Sequence, residues 1–437
     1  MTIRKLSSAA AIALCVLLHG CGGGGGSSSG ASTAAPASTP ASAPASAPAT
    51  ASTPVPASAP VTASAPAPAS DVVVQSTTPN VQPIRVAATA TSTSTRNMLQ
   101  TSVTLCAPGT DKCQTIDNIQ VDTGSQGLRV LASALDPSIA LPLVAGNAAS
   151  TVMAECSVFG SGYTWGAVRQ ADIRLAGQLA SSTSVQLIAD TAVPGAATDC
   201  SQSGLPMLDA SKLRGNGILG VGPFTADCGG GCANSAMPRW YYSCTSAGCT
   251  ASTLATAQQV TNPIARFAAD NNGVLIELPA VPPEGASSVA GTMTFGIGSQ
   301  ANNLLGAATV LKSNSITGYV STSFSGNQYG SSFIDSGSNG LFFPSATLAT
   351  CGAWFCPATP QGLSATLISM TGVTAGVSFS VAKSTTLFAT SNYAFNNLAG
   401  PANGFFDWGL PFFYGRRVFT ALEGRPTPAG TGPYYAF

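Results

Sequence analysis

The stretch DTGSQGLRV at residues 122–130 returns in closely similar form as DSGSNGLFF at residues 335–343. The two stretches agree at five of nine positions, and Thr/Ser and Gln/Asn are conservative exchanges at two more. Each follows an apolar run, IQV at residues 119–121 and FI at residues 333–334. A duplicated half-domain explains such a repeat economically. Asp-x-Gly sequences also cap ordinary turns, so this simpler interpretation stays open beside a functional one.

The sequence on both sides of the repeat is typical of β structure. Helices are expected only at residues 253–260 and 263–269, with a short one opening near Pro344. Many short strands with Gly-rich turns and few helices predict an all-β fold. Alternating or β-branched runs predict strands at residues 101–105, 119–121, 171–175, 184–188, 274–278, 292–295, 319–324 and 377–381.

Composition limits the classes of partner. The chain is 45% hydrophobic and 8% charged, with a formal net charge of zero. Nucleic-acid binding requires a basic surface, so we expect no nucleic-acid partner. The body, residues 79–437, is long enough for two lobes.

The N-terminus predicts export. Arg4 and Lys5 precede an apolar run at residues 9–18, which is too short to span a bilayer and typical of a signal peptide. The run ends in LHGC at residues 18–21, which resembles the lipobox of bacterial lipoproteins, where the cysteine is acylated after cleavage. We therefore expect a signal peptide at residues 1–20 and a lipid anchor on Cys21. Because Gly22, and not Asp, follows the cysteine, we expect the lipid anchor to lie in the outer membrane. The sequence leaves open which face of that membrane the protein occupies.

A low-complexity segment follows the anchor. Residues 21–78 are almost entirely Gly, Ser, Ala, Pro and Thr after the cysteine, and Asp71 is their only charge. Such a segment cannot bury enough apolar surface to offset the entropy of ordering it. We expect a mobile tether between the membrane and the body.

The cysteines agree with export. Outside Cys15 and Cys21, ten remain, and an even number in an oxidising compartment predicts disulfides. The pairing cannot be read from the sequence, and four of the ten could instead bind zinc. These four are Cys228, Cys232, Cys244 and Cys249.

Histidine is confined to the leader. The only histidine, His19, precedes the cleavage site, so the mature chain is expected to have none. Ser-His-Asp and Cys-His catalysis are then excluded, as are histidine-ligated metals. Hydrolytic chemistry would have to come from carboxylates, Lys, Tyr or Ser.

The sequence resembles the pepsin-like aspartic peptidases. Residues 122–125 look like their first catalytic loop and residues 335–338 like the second. Further segments that resemble the family lie in the family's order and are spread over most of the body: residues 159–166 and 171–175 (the flap hairpin), 217–222 (GILGVG), 291–296 (GTMTFG) and 408–416 (WGLPFFYGR).

The resemblance implies a bilobal all-β fold with pseudo-twofold symmetry, lobes at residues 79–285 and 286–437, and a central cleft. It implies that Asp122 and Asp335 form a catalytic dyad that activates water, without a metal or cofactor. It implies that Thr123 and Ser336 cross-link the two loops. The remaining residues that the resemblance assigns are the dyad supports Gly124, Ser125, Gly337 and Ser338, and the flap residues Phe159, Gly160, Ser161 and Gly162.

Two positions depart from the family. Phe159 stands where the family usually has Tyr, and Arg129 where it usually has Trp. In the family these two side chains hydrogen-bond to each other, and here both are changed together. The resemblance as a whole implies a monomeric endopeptidase that acts on peptides or proteins at the bacterial cell envelope. The alternative is a catalytically silent binding or adhesion lipoprotein of the same fold.

Overall fold

A computed structural model describes residues 78–89 and 94–437. The predicted signal peptide, Cys21 and the tether up to residue 77 lie outside these residues. Within the described ranges, none of the helices has the length and apolar character needed to cross a membrane.

Strands make up most of the regular secondary structure of the described residues. Those of the first half are β1 (Val81–Val86), β2 (Leu99–Cys106), β3 (Cys113–Asp122), β4 (Gln126–Leu131), β5 (Val152–Phe159), β6 (Gly162–Leu175), β7 (Gln178–Ile188), β8 (Gly217–Val221), β9 (Tyr241–Thr245), β10 (Gly248–Ala251) and β11 (Gly273–Leu278). Those of the second half are β12 (Val289–Phe295), β13 (Val310–Lys312), β14 (Val320–Phe324), β15 (Asn327–Ile334), β16 (Leu341–Phe343), β17 (Thr350–Cys351), β18 (Trp354–Phe355), β19 (Gln361–Ile368), β20 (Thr374–Val381), β21 (Ala399–Pro401), β22 (Phe406–Trp408), β23 (Arg416–Ala421) and β24 (Tyr434–Ala436).

The helices are short. The α-helices of the described residues are α1 (Thr198–Ser201), α2 (Ala210–Leu213), α3 (Gly230–Asn234) and α4 (Ser384–Phe388). Single 3₁₀ turns occupy Ala132–Ala134, Thr256–Gln258, Pro263–Arg266, Ala301–Asn303 and Leu410–Phe412. The all-β prediction is confirmed, and every predicted strand lies on an observed one, apart from the first residue of 319–324.

The helix predictions were wrong. Residues 253–260 and 263–269 hold only the 3₁₀ turns, and no helix begins near Pro344. In the first segment, tertiary contacts replace helical hydrogen bonds. The Gln259 amide donates to the carbonyl of Leu254 at 2.8 Å, and the Val260 N–H donates to the Tyr241 hydroxyl at 2.8 Å. Tyr241 lies outside the segment, on β9, and local propensity cannot anticipate that contact.

Two large sheets organise the described strands. One has fifteen strands in the order β10-β9-β5-β6-β7-β4-β8-β3-β2-β1-β12-β11-β23-β24-β13. The other has seven, in the order β20-β19-β14-β15-β22-β16-β21, and β17 pairs with β18. Strand β1 joins the two halves of the chain, because it pairs with β2 on one side and with β12 on the other.

The core of the seven-stranded sheet is aromatic. Phe343 stacks on Phe406 with ring centres 5.1 Å apart, and Phe406 stacks on Trp408 at 4.3 Å. All three side chains are fully buried. Close aromatic pairs add to the stabilisation by area burial, so this cluster fixes β16 and β22 beside each other.

Five disulfides link the ten cysteines of the described residues, which confirms the disulfide prediction. The four cysteines that could have bound zinc are paired as Cys228–Cys232 and Cys244–Cys249. The zinc alternative is therefore wrong, because a cystine sulfur is no longer a thiolate ligand. The other pairs are Cys106–Cys113, Cys156–Cys200 and Cys351–Cys356.

Candidate active site

The two repeated motifs occupy loops with the same local topology. Strand β3 leads into the first loop and β4 leaves it, while β8 lies between them, parallel to β3 and antiparallel to β4. Strand β15 leads into the second loop and β16 leaves it, while β22 lies between them with the same two directions. The sequence repeat is therefore also a structural repeat.

Thr123 and Ser336 cross-link the two loops. The Thr123 N–H donates to Ser336 Oγ at 3.1 Å, and the Ser336 N–H donates to Thr123 Oγ1 at 2.9 Å. Each hydroxyl then donates to the opposite chain, Thr123 Oγ1 to the carbonyl of Ile334 and Ser336 Oγ to the carbonyl of Val121, both at 2.9 Å. Both side chains are fully buried. The four hydrogen bonds fix the separation and orientation of the loops.

The first carboxyl group is held by its own loop. Asp122 Oδ1 accepts from the Gly124 N–H at 2.8 Å, and Oδ2 accepts from Ser125 Oγ at 2.5 Å. Asp122 is 6% exposed. Hydrogen bonds to both oxygens fix the plane of the carboxyl group.

The second carboxyl group has the same set of partners. Asp335 Oδ1 accepts from the Gly337 N–H at 2.7 Å, and Oδ2 accepts from Ser338 Oγ at 2.8 Å. Asp335 is partly exposed, unlike Asp122. The pair is therefore open to solvent on the Asp335 side.

The two carboxyl groups face each other. A Cβ placed on Gly124 would lie 2.7 Å from Asp335 Cγ, and one placed on Gly337 would lie 2.5 Å from Asp122 Oδ1. Each loop's glycine thus packs against the other loop's aspartate, and any side chain there would collide with it. The two carboxyl groups are within hydrogen-bonding reach of each other.

This proximity changes the electrostatics of the pair. Burial, the charge of Asp122 and the charge of Asp407 together raise the pKa of Asp335 well above its usual range. Two like charges so close cannot both form cheaply, so the pair retains one proton. A neutral acid and an ionised carboxylate side by side can act as general acid and general base toward one bound water.

Asp407 is a third carboxyl group at this site, and it was not predicted from the sequence. It lies on β22 between the strands of the second loop. Burial is the main reason that the pKa of Asp407 is raised well above its usual range, and the charge of Asp122 adds to this. An acidic residue within the apolar run FFDWG at residues 405–409 was the available signal.

The predicted flap segment forms a β-hairpin. Strands β5 and β6 pair up to Phe159 and Gly162, so that Gly160 and Ser161 form a two-residue turn. Ser161 Oγ lies 3.2 Å from the sulfur of Met207, and both turn residues are exposed.

Arg129 and Phe159, the two positions at which the sequence differs from the usual pepsin-like pattern, contact each other. The guanidinium of Arg129 lies 5.9 Å from the centre of the Phe159 ring. Arg129 is 1% exposed and forms ion pairs with Glu155 and with Asp227, the latter at 3.2 Å. Burial alone would lower the pKa of Arg129, but these two ion pairs raise it. The Arg129–Glu155 ion pair thus ties the hairpin to β4, the strand that leaves the first loop.

A buried acid pair completes this network. Asp227 Oδ1 accepts from the Tyr241 hydroxyl at 2.5 Å, and Asp227 is hydrogen-bonded to Glu155. Burial and the charge of Glu155 raise the pKa of Asp227 well above its usual range. Glu155 and Arg129 were not predicted to pair, although two charges within the apolar strand runs at residues 127–131 and 152–159 were a signal of a buried ion pair.

Among the described residues, no group of three or more His, Cys, Asp or Glu side chains is placed to hold a metal ion. The fold and site together define an all-β protein in which two Asp loops of the same local topology bring their carboxyl groups side by side.

Residues 76–437 match the family described as DUF3443, a protein of unknown function, and the chain belongs to that family. No curated protein matches the chain.

Proposed function

We propose that this protein is a pepsin-like aspartic endopeptidase that hydrolyses peptide bonds with Asp122 and Asp335. The observation that carries the proposal is the duplicated loop geometry. Each carboxyl group accepts a hydrogen bond from a glycine N–H and one from a serine hydroxyl of its own loop. The Thr123–Ser336 cross-link holds the two loops together, with the two carboxyl groups side by side. An arrangement that merely capped two turns would not need to bring the turns together.

In the proposed reaction a water lies between the two carboxyl groups. The ionised carboxylate removes a proton from the water as the water oxygen attacks the peptide carbonyl carbon, and the neutral acid donates its proton to the carbonyl oxygen. The tetrahedral intermediate then collapses: the newly protonated carboxyl group donates its proton to the departing nitrogen as the C–N bond breaks, and the other carboxylate takes back a proton from a hydroxyl of the intermediate. The products are a carboxylic acid and an amine, and the pair returns to its starting protonation state. Burial and the neighbouring charges favour the proton on Asp335, which assigns the acid to Asp335 and the base to Asp122 at the start of the cycle. The reaction uses no metal or cofactor.

The proposal includes an architecture. Lobes at residues 79–285 and 286–437 would lie on either side of the pair, with the hairpin tip at Gly160 and Ser161 as a flap. A peptide or protein substrate would bind in extended form between them. The partial exposure of Asp335 supports access to the pair from one side.

The proposed location is the bacterial envelope, where the mature chain would be a monomer held at the outer membrane by a lipid on Cys21. Five disulfides in the described residues support an oxidising compartment.

The test is cleavage of a mixed peptide library by the purified, disulfide-bonded protein, with products read by mass spectrometry between pH 3 and pH 7. We expect cleavage that pepstatin inhibits and that Asp122→Asn or Asp335→Asn reduces by at least about 100-fold, since positioned acid–base catalysis is worth that much. Asp172→Asn is the matched control, because Asp172 is also buried but accepts only from the backbone of Gly109 and Ser182. Absence of cleavage throughout this pH range would refute the proposal.

The second candidate function is a binding or adhesion module that has lost turnover. The substitution of the flap partners favours it, because Arg129 is occupied by Glu155 and Asp227 and does not hydrogen-bond to Phe159. A crystal structure discriminates between the two. A water bridging coplanar carboxyl groups would support catalysis, and a cleft filled by the protein's own side chains would support the binding module.

A further inference from the structure

A cavity of about 360 Å³ lies beside β20, an edge strand of the seven-stranded sheet. Neither Asp loop contributes a residue to its lining, so the cavity is separate from the candidate active site. The lining includes Val377–Ser380 of β20, the aromatic residues Trp408 and Phe412, and the polar residues Asn396 and Arg416.

Arg416 is the charged residue of this lining, and its guanidinium has no anion beside it. The guanidinium lies 4.7 Å from the centre of the Phe412 ring, and Nη1 donates to the carbonyl of Phe412 at 2.6 Å. Among the described residues, no carboxylate forms an ion pair with Arg416, and Nε and Nη2 have no hydrogen-bond partner. Burial lowers the pKa of Arg416, and no neighbouring carboxylate raises it, in contrast to Arg129. The Nε and Nη2 side of the guanidinium is therefore available to bind a carboxylate through two parallel hydrogen bonds.

Asn396 also lines the cavity and has an unused acceptor. Its Nδ2 donates to the carbonyl of Val281 at 2.7 Å, whereas Oδ1 is buried and has no hydrogen-bond partner among the described residues. Leaving a buried acceptor without a donor is costly, so a ligand that supplies an N–H group is favoured. Phe379, Trp408 and Phe412 form the apolar part of the lining.

The edge of β20 along the cavity has no backbone partner. Strand β20 pairs only with β19, over Thr374–Val381. Apart from that ladder, the backbone of Val377–Ser380 forms no hydrogen bond to other backbone among the described residues. The chain meets another segment after the strand, where the Ala382 N–H donates to the carbonyl of Asn397 at 3.0 Å. A free strand edge can bind an extended peptide through main-chain hydrogen bonds.

We propose that this cavity binds the C-terminal end of an extended peptide whose last residue is apolar or aromatic. The terminal carboxylate binds the Nε and Nη2 side of Arg416, and an amide N–H donates to Asn396 Oδ1. The last side chain fills the space bounded by the aromatic residues, and the preceding residues pair with β20. This inference goes beyond the proposed peptidase function and does not rest on it.

The first test is calorimetric titration of the purified, oxidised protein at pH 7 with N-acetyl-phenylalanine and with its amide, N-acetyl-phenylalaninamide. We expect a Kd of about 1 mM or tighter for the acid, as is usual for a ligand of this size. The amide lacks the charge and should bind at least about tenfold more weakly, since charge-assisted hydrogen bonds have an effect of that size. Equal affinities for the two probes, or no binding of either up to about 10 mM, would overturn the proposal.

The second test repeats the titration with Arg416→Gln. We expect the affinity for the acid to fall at least about tenfold. Arg417→Gln is the matched control, because Arg417 is exposed and paired with Glu277, and its Kd should stay within about twofold of wild type. An unchanged Kd for a folded Arg416→Gln variant would refute the role of Arg416. Folding is checked by circular dichroism, and if this variant does not fold, the acid and amide probes decide the proposal with wild type alone.

A third titration distinguishes a peptide from a free N-acyl amino acid. It uses acetyl-alanyl-alanyl-phenylalanine, with mass spectrometry to check that the probe stays intact. Because the added residues can pair with β20, we expect this peptide to bind at least about fivefold more tightly than N-acetyl-phenylalanine. Equal affinities would overturn the peptide assignment and leave a site for a free N-acyl amino acid. A protein that cleaves no peptide fails the peptidase proposal, while these titrations still decide the cavity's ligand.

Discussion

Replacing Arg129 by methionine should destabilise the protein strongly, because the change leaves two carboxyl groups buried without their cation. Arg129 donates to Glu155 Oε1, to Asp227 Oδ2 at 3.2 Å and to the carbonyl of Gln126 at 2.7 Å. Methionine keeps much of the apolar packing but none of these hydrogen bonds. Breaking a buried ion pair by removing one partner costs about 3–5 kcal/mol, and we expect a loss in that range at pH 7.

The loss should depend on pH. The folded-state pKa of Asp227 is already raised by burial and by Glu155, and loss of Arg129 removes a charge that lowers it. An acid with a raised pKa in the folded state stabilises the fold below its unfolded pKa of about 4, and that stability disappears as pH rises through the folded value. Arg129→Met should therefore cost less at pH 5 than at pH 7.

The assay is urea unfolding of the oxidised protein at both pH values, followed by tryptophan fluorescence. Arg417→Met is the matched control, because Arg417 pairs with Glu277 at an exposed position. An exposed pair contributes about 1 kcal/mol or less. A loss below about 1 kcal/mol for Arg129→Met at pH 7, or an equal loss at both pH values, would refute the reasoning.

Two further predictions concern the loop cross-link and the disulfides. Thr123→Val removes a buried hydroxyl and leaves the Ser336 N–H without its acceptor, so we expect a loss of about 2–3 kcal/mol and a fall in kcat/KM, whereas Thr123→Ser should retain both; a stable, fully active valine variant would contradict this. Replacing both Cys156 and Cys200 by alanine opens a disulfide with a sequence separation of 44 and should cost about 4 kcal/mol, more than the same change at Cys106–Cys113 with a separation of 7. Urea unfolding measures both disulfide variants, and equal losses would show that loop entropy does not dominate.

The repeat in the sequence predicted that the two Asp loops are alike and lie together. Because the motifs at residues 122–125 and 335–338 contain the same residue types, each predicts the same local hydrogen bonds. The structure brings all eight of these residues together, with matching partners on the two loops. Their catalytic role stays a prediction.

The surroundings of the site could not be predicted in the same way. Glu155 on β5 and Arg129 on β4 form an ion pair although β6 and β7 lie between these strands in the order of the fifteen-stranded sheet, and no local pattern specifies that contact. Asp407 was overlooked because the apolar residues around it predicted only a core segment. Each cystine joins two cysteines that are consecutive among the ten, but ten cysteines allow many pairings and only the fold selects among them.

The most direct test of the central claim is a single kinetic comparison of wild type with Asp122→Asn and Asp335→Asn on one cleaved peptide at one pH. The claim predicts that wild type cleaves and that each variant, still folded and disulfide-bonded, loses at least about 100-fold in kcat/KM. Equal rates for wild type and either variant would show that the two carboxyl groups do not perform the hydrolysis.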